Sequence, residues 1–304
     1  MRFTLIMATR GRGDEVGEFL NSLVAQGRAG AEAVIVDQNE DDRLAPVIAR
    51  HAGRLPLARL RSDRANACHA RNLGLSRARG AIVGFPDDDC VYPPGVLARV
   101  DATFAADPAL QVLTGPAASP AGGLGSGRWR REGGAITPAN VWTSVIEFNL
   151  FLRRDTALEL GGFDERLGPG TPFGSAEGND LVLRAVAAGH KAVYDPELRV
   201  VHPDKRMTAT AAERARLYGT GLGFVLRRHR VPPRVWLPCF VRPMGGAALG
   251  ALHGDALAVR HHLESLRGRW TGFTAPGSAD GVPLAPLAGP APTASPGNPA
   301  GPGG

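Results

Sequence analysis

Short apolar runs alternating with helically patterned segments fill the first 115 residues, and this alternation limits the fold more than any other feature. Phe3–Ala8 is apolar at nearly every position and too short for a helix, and Ala33–Asp37 and Ala81–Phe85 repeat the pattern. Between the first two runs, Val16, Phe19, Leu20, Leu23 and Val24 recur at the spacing of one helix face. Residues 42–53 and 66–79 read as further helices, 57–60 as a weak strand, 94–106 as a helix and 110–115 as a strand. Near-continuous apolar strands separated by helices predict an α/β fold whose mostly parallel sheet is covered on both faces. In such sheets ligands bind beyond the carboxyl ends of the strands.

Polar residues collect at those ends. Thr9 and Arg10 follow the first strand, Asp37 closes the second, and Asp87, Asp88 and Asp89 follow the fourth. An Asp at a strand end is also an ordinary turn or capping residue. Three consecutive carboxylates repel one another and call for a cation. Hard divalent ions prefer oxygen ligands, and Mg²⁺ commonly binds one or two carboxylates together with substrate phosphates. Strand alternation would turn Asp87 and Asp89 to one side and Asp88 to the other. Two carboxylates can hold a metal and the metal a diphosphate, which then leaves easily because its growing charge is neutralised. Transfer of a sugar from a nucleotide-sugar needs that chemistry.

The charge is uneven. Residues 1–203 carry 23 basic and 24 acidic side chains, and residues 204–273 carry 12 and 4, so the net +6 comes from the later stretch. The basic residues there sit among Trp236, Phe240, Met244 and Leu249, a pattern of an interfacial helix or of a helix packed on the core. Residues 208–230 read as one helix with Gly219, Gly221 and Gly223 in its middle. Aromatics are 6% of the chain and are not interleaved with the basic residues, which argues against nucleic acid as a partner. Cys68, Cys90 and Cys239 have no paired spacing and suggest neither a zinc site nor a disulfide framework. The N-terminal apolar run is too short for a signal peptide, and no uninterrupted stretch of ~20 apolar residues would span a bilayer. A reduced cytoplasmic setting is expected, and the basic, apolar segment points to peripheral contact with the inner face of the cell membrane. Residues 274–304, rich in Pro, Gly and Ala, carry too few large apolar side chains to offset the entropy of ordering and are expected to be a disordered tail.

Six motifs in order resemble the family 2 glycosyltransferases of the GT-A fold, over about residues 3–273. They are "TLIMATRGR", "VIVDQ", "ANACHARNLGL", "FPDDDC", "GGFDERL" with "AEGNDLVLRAVAAGH", and "YDPELRVVHP". The resemblance implies a GT-A domain over 1–205, with a donor half to about 115 and an acceptor half from about 116. A helical segment follows over 206–273, with association with a membrane as one reading of it. It implies a metal-dependent, inverting transfer, with Mn²⁺ or Mg²⁺, from a nucleotide-sugar to a glycan, lipid-linked or small-molecule hydroxyl. A nucleotidyltransferase and a non-catalytic nucleotide-sugar binder are the alternatives.

By the same resemblance, Thr9 and Arg10 belong to the donor loop and Asp37 would receive a nucleobase N–H. Arg71 would orient the acids or approach the diphosphate. Asp87 and Asp88 lie in the donor motif, Asp89 would be the direct metal ligand with Asp87 assisting, and His202 would add a metal or diphosphate contact. The Gly/Pro-rich loop before residue 176 would receive the acceptor, with a strand over 144–154 beneath it. At the base, the sequence departs from the family. Relatives commonly show Glu-Asp-x-Asp-Leu, with the first Asp as base, whereas this chain has Glu177-Gly178-Asn179-Asp180-Leu181. Glu177 is the first candidate for the base and Asp180 the second.

Overall fold

The structure, a computed structural model, describes residues 1–27, 30–205, 207–278 and 284–290. Its strands are β1 (Phe3–Thr9), β2 (Ala31–Asp37), β3 (Leu57–Arg61), β4 (Ile82–Gly84), β5 (Leu110–Thr114), β6 (Ala117–Ala118), β7 (Gly134–Ala135), β8 (Leu150–Arg153), β9 (Lys191–Tyr194) and β10 (Val200–Val201). Its helices are α1 (Asp14–Ala25), α2 (Ala45–His51), α3 (Ala67–Leu75), α4 (Val96–Ala106), α5 (Arg154–Glu159), α6 (Glu177–Ala187), α7 (Ala209–Arg228), α8 (Pro233–Leu252) and α9 (Ala256–Thr274). The main sheet has the order β3-β2-β1-β4-β8-β5-β9-β7, and β6 pairs with β10 separately. Strands β1 to β4 are mutually parallel; β8 runs antiparallel between β4 and β5. The expected α/β architecture, a central and mostly parallel sheet flanked by helices, is therefore present.

Alternate residues of the strands supply both faces. Phe3, Leu5 and Met7 pack with Phe19, Leu20 and Val100 of α1 and α4. On the other face Ile6 packs with Leu75, and Val34 and Val36 with Ala70 of α3. Phe19, fully buried edge-on to Tyr92 at 5.3 Å, stands for the scale involved: truncation to Ala should cost about 3–5 kcal/mol. In register, Thr9 lies opposite Asp37 and Asp37 opposite Arg61, so the carboxyl ends of β1, β2 and β3 share one edge.

The strand expected over 144–154 is mostly absent. Val141–Thr143 and Glu147–Asn149 are single 3₁₀ turns, and only Leu150–Arg153 joins the sheet. Specific polar bonds win: Ser144 Oγ donates to Asn140 O within the segment, and the buried Asn149 side chain donates across the fold to Pro116 O and Leu198 O.

Beyond β10 the chain forms the three helices α7, α8 and α9. Helices α7 and α9 meet backbone to backbone. A Cβ on Gly219 or Gly223 would strike Ser265 O or Arg269 O, and one on Gly268 or Gly272 would strike Arg216 O or Thr220 O. Helix α8 continues through Pro238 and Pro243. Pro243 has no N–H for the carbonyl of Cys239 one turn earlier, and Nη1 of Arg269, from α9, donates to that carbonyl instead.

Part of the tail expected to stay outside the fold lies against it. Leu287 N donates to Leu158 O at 2.9 Å, and the Leu287 side chain packs on the core beside α5. Residues 279–283 and 291–304 of that tail lie outside the described residues.

Candidate active site

Strand β4 stops at Gly84, and Asp88 and Asp89 lie in a turn closed by Cys90 N donating to Asp87 O at 3.3 Å. Strand alternation therefore does not govern the three acids, contrary to expectation, and each faces a different partner. Asp87 accepts from Arg71 Nη2 at 2.9 Å. Asp88 accepts from Thr9 Oγ1 at 2.7 Å and lies 3.7 Å from Arg12 Nε. Asp89 accepts from Arg12 Nη2 at 3.1 Å and lies 3.2 Å from His202 Nε2. Burial, with the charges of Asp87 and Asp89 added, raises Asp88 to about 6 against the Thr9 hydrogen bond. The His202 hydrogen bond holds Asp89 low against the cost of burial. Burial alone would lower His202; its bond to Asp89 overrides this and raises it.

This donor set suits a divalent cation. His202 Nδ1 donates to the Pro203 carbonyl at 2.8 Å and Nε2 to Asp89 at 3.2 Å, so both ring nitrogens carry protons here, and loss of the Nε2 proton would turn its lone pair to a cation on the Asp89 side. One carboxylate and one imidazole, with Asp88 on the same Arg12 guanidinium, match the oxygen and nitrogen preferences of Mn²⁺ and, through the acids, Mg²⁺. Among the described residues no group of three or more His, Cys, Asp or Glu is gathered as a complete cage. Substrate phosphates and water would have to supply the remaining ligands. Asp87, expected as the assisting ligand, is turned to Arg71 instead.

At the far end of the same edge, Asp37 is fully buried and accepts from five N–H donors. Oδ1 takes Asn39 N at 2.9 Å and Asn39 Nδ2 at 2.8 Å. Oδ2 takes Arg59 Nε at 2.9 Å, Arg59 Nη2 at 2.6 Å and Arg61 Nη1 at 3.0 Å. The carboxylate expected to receive a base is thus filled, because the β2–β3 register brings two arginines beside it. Arg10 is exposed and makes no hydrogen bond or ion pair among the described residues; Arg12 takes the position expected of it.

The opposite wall is the start of α6. Ala176, at φ 68° and ψ 16°, turns the chain into the helix through the left-handed region, at about 1–2 kcal/mol for a residue with a Cβ. Glu177 follows, 4% exposed, and accepts from Arg71 Nη1 at 3.1 Å. One buried guanidinium thus joins Asp87 to Glu177. Burial, then the nearby Glu147 charge, raises Glu177 to about 7, with Arg71 opposing. Asp180 faces away from this group: Oδ2 accepts from Arg184 Nε at 2.8 Å and Oδ1 lies 2.8 Å from His229 Nε2 on the α7 side. Burial would raise Asp180, but Arg184 and His229 outweigh it and hold it low.

The structure therefore gathers Thr9, Arg71, Asp87, Asp88, Asp89, Glu177 and His202, and leaves Arg10, Asp37 and Asp180 with other partners or none. Arg12, Arg59 and Glu147 belong to the same surroundings and were not singled out by the sequence. Arg12 had a weak signal, since "TRGRG" offers two arginines to one loop. A groove of about 460 Å³ along α8 and α9, lined by Gly250, Val259 and Leu263, contains none of these groups.

The description "Glycosyl transferase family 2" matches residues 4–155. No curated protein matches the chain. Among solved structures, the mannosyltransferase PcManGT from Pyrobaculum calidifontis, in complex with GDP-Man and Mn²⁺, is 19% identical with a TM-score of 0.64. That alignment covers 90% of this chain and 87% of that one. TarS residues 1–349 from S. aureus, in complex with UDP-GlcNAc, is 16% identical with a TM-score of 0.57, covering 90% of this chain and 93% of that one. Both share the fold.

Proposed function

The chain belongs to glycosyltransferase family 2, and we propose that it moves a sugar from a nucleoside-diphosphate sugar to a hydroxyl, with inversion and with help from Mn²⁺ or Mg²⁺. The observation that carries this reading is the approach of His202 Nε2 to Asp89 at 3.2 Å, on the sheet edge that also holds Thr9 and Asp88. Asp89 and His202 would hold the cation. Once bound, it would neutralise the charge growing on the leaving diphosphate. Arg71 keeps Asp87 in place and brings a fixed positive charge beside the acids. Arg12 is the group that must yield or turn toward phosphate when Asp89 takes a cation. At the far end of the edge Asn39, Arg59 and Arg61 already occupy Asp37, so a nucleobase or ribose there would meet those side chains rather than a free carboxylate. The acceptor is a glycan, a lipid-linked sugar or a small molecule.

The test is a thermal-unfolding panel of nucleotide-sugars, starting with GDP-mannose and UDP-N-acetylglucosamine, each with and without Mn²⁺ and Mg²⁺. A donor at 100 times its Kd should add about 2.7 kcal/mol of stability, and only with the metal. No shift with any donor would overturn the reading.

A second element of the reading is location. Among the described residues one helix, α8, is long and apolar enough to cross a membrane, by length and composition. Its Leu237, Val241 and Met244 are exposed at helical spacing, with exposed Arg234 and Arg242 alongside. We infer that α8 lies along an anionic lipid surface, the cytoplasmic face of the cell membrane, with the arginines at the headgroups. Binding to phosphatidylserine vesicles should fall as salt rises, and absence of binding at low salt would overturn this inference.

A further inference from the structure

Gly178 leaves the start of α6 without the side chain that the family pattern places there, and the structure fills that space from elsewhere. A Cβ built on Gly178 would lie 2.7 Å from Glu147 Oε1, 3.0 Å from its Cγ and 3.1 Å from its Cδ. The Glu147 carboxylate thus stands where a side chain at 178 would go. Oε1 is anchored there by the Gly178 N–H at 3.0 Å, in the first turn of α6, where the helix dipole favours a negative charge. Oε2 has no hydrogen bond among the described residues.

Two further observations concern reach. Glu147 is half-buried, on the 3₁₀ turn Glu147–Asn149, where Glu177 is almost fully enclosed. The next residue, Phe148, stacks on His202 with ring centroids 4.5 Å apart and planes 9° apart. One rigid turn therefore sets the carboxylate relative to the imidazole that faces Asp89. Glu177 is placed differently. It is enclosed, it is tied to Arg71, and a Cβ on Gly168 above it would lie 3.0 Å from both its Oε1 and Cys68 Sγ. A group with so little room can position Arg71 but has no clear approach for a hydroxyl.

We propose that Glu147 is the general base of the transfer, a proposal that rests on the glycosyltransferase reading above. The acceptor oxygen attacks the anomeric carbon, its O–H proton passes to Glu147 Oε2, and the bond from that carbon to the diphosphate oxygen breaks. The nucleoside diphosphate leaves with the bonding pair. Glu177 acts as a positioning residue through Arg71.

The experiment uses the full chain with uridine and guanosine diphosphate hexoses and MnCl₂, water serving as acceptor, and reads released nucleoside diphosphate alongside nucleotide binding. Glu147→Gln should lower turnover by about 10² or more, the range for loss of a general base, with nucleotide affinity and melting temperature kept. The double variant Glu147→Gly with Gly178→Asp returns a carboxylate to the same space from α6, and should recover at least about tenfold of that loss, since a repositioned base is worth about 10²–10⁴ when fully aligned. Glu147→Gln with turnover within a few-fold of wild type, or a folded, nucleotide-binding double variant without recovery, would overturn the assignment. Wild-type protein that neither binds nor consumes any of these donors would overturn the transferase reading, and the base with it.

Discussion

Arg71 Nη1 donates to Glu177 Oε1 across 3.1 Å, joining two helices whose contact residues are 106 positions apart in the chain. The guanidinium is fully enclosed and its other terminal nitrogen serves Asp87. A planar fork can satisfy two carboxylates in two directions, and an ammonium cannot keep both geometries.

Arg71→Lys is therefore expected to cost about 3–5 kcal/mol in urea unfolding, the range for breaking a buried pair by changing one partner. Turnover should fall with it, because Asp87 and Glu177 lose their common anchor. A variant within 1 kcal/mol of wild type would show that the bridge is dispensable.

Glu177 makes stability fall with pH. Its folded value, about 7, exceeds the ordinary 4.5, so the folded state holds the proton more tightly. Stability from this group is full below about 4.5 and is lost as pH rises to about 7, at up to about 1.4 kcal/mol per unit. Glu177→Gln removes the titration. Its melting temperature should gain on that of wild type between pH 5 and pH 8. An unchanging gap would mean that Glu177 stays ionised throughout.

Asp180 gives the opposite sign. Held low by Arg184 and His229 against burial, it contributes stability above the ordinary carboxylate value of about 3.9, lost as pH falls through its folded value. Asp180→Asn should cost about 3–5 kcal/mol while the folded fraction still binds nucleotide. A stable Asp180→Asn that binds donor but cannot turn it over would instead place Asp180 in the chemistry.

Asp89→Asn should abolish the metal dependence of nucleotide binding measured by calorimetry, a loss of at least about 10-fold in affinity with Mn²⁺ present. Asp88→Asn, which keeps the Asp89–His202 approach, should do less. The reverse order would move the metal to the Thr9 side of the turn.

The sheet and its ligand edge were legible because apolar period and run length report directly on strands covered from both sides. The acid triplet was legible because its members are adjacent in sequence. Their separate orientations were not, since the chain leaves the strand at Gly84 and a turn, rather than a pleat, aims each carboxylate. Arg59 and Arg61 reach Asp37 only through the pairing of β2 with β3, which periodicity does not specify. Glu147 looked like one polar position in an alternating strand. A local bond from Ser144 and a bond from Asn149 to Leu198, 49 positions on, hold that segment in turns, and its carboxylate meets the Gly178 N–H.

The arginine that completes α8 has a consequence for the order of assembly. The carbonyl of Cys239, left without its usual donor by Pro243, waits for a residue 30 positions later in the chain. At a synthesis rate of about 5–20 residues per second, that interval is roughly 1.5–6 s. Until then α8 has a gap in its backbone ladder, and the glycine face of α7 has no partner from α9. The closing helix, α9, supplies both at once, so a chain cut before residue 269 would leave the Cys239 carbonyl and the glycine face of α7 exposed together.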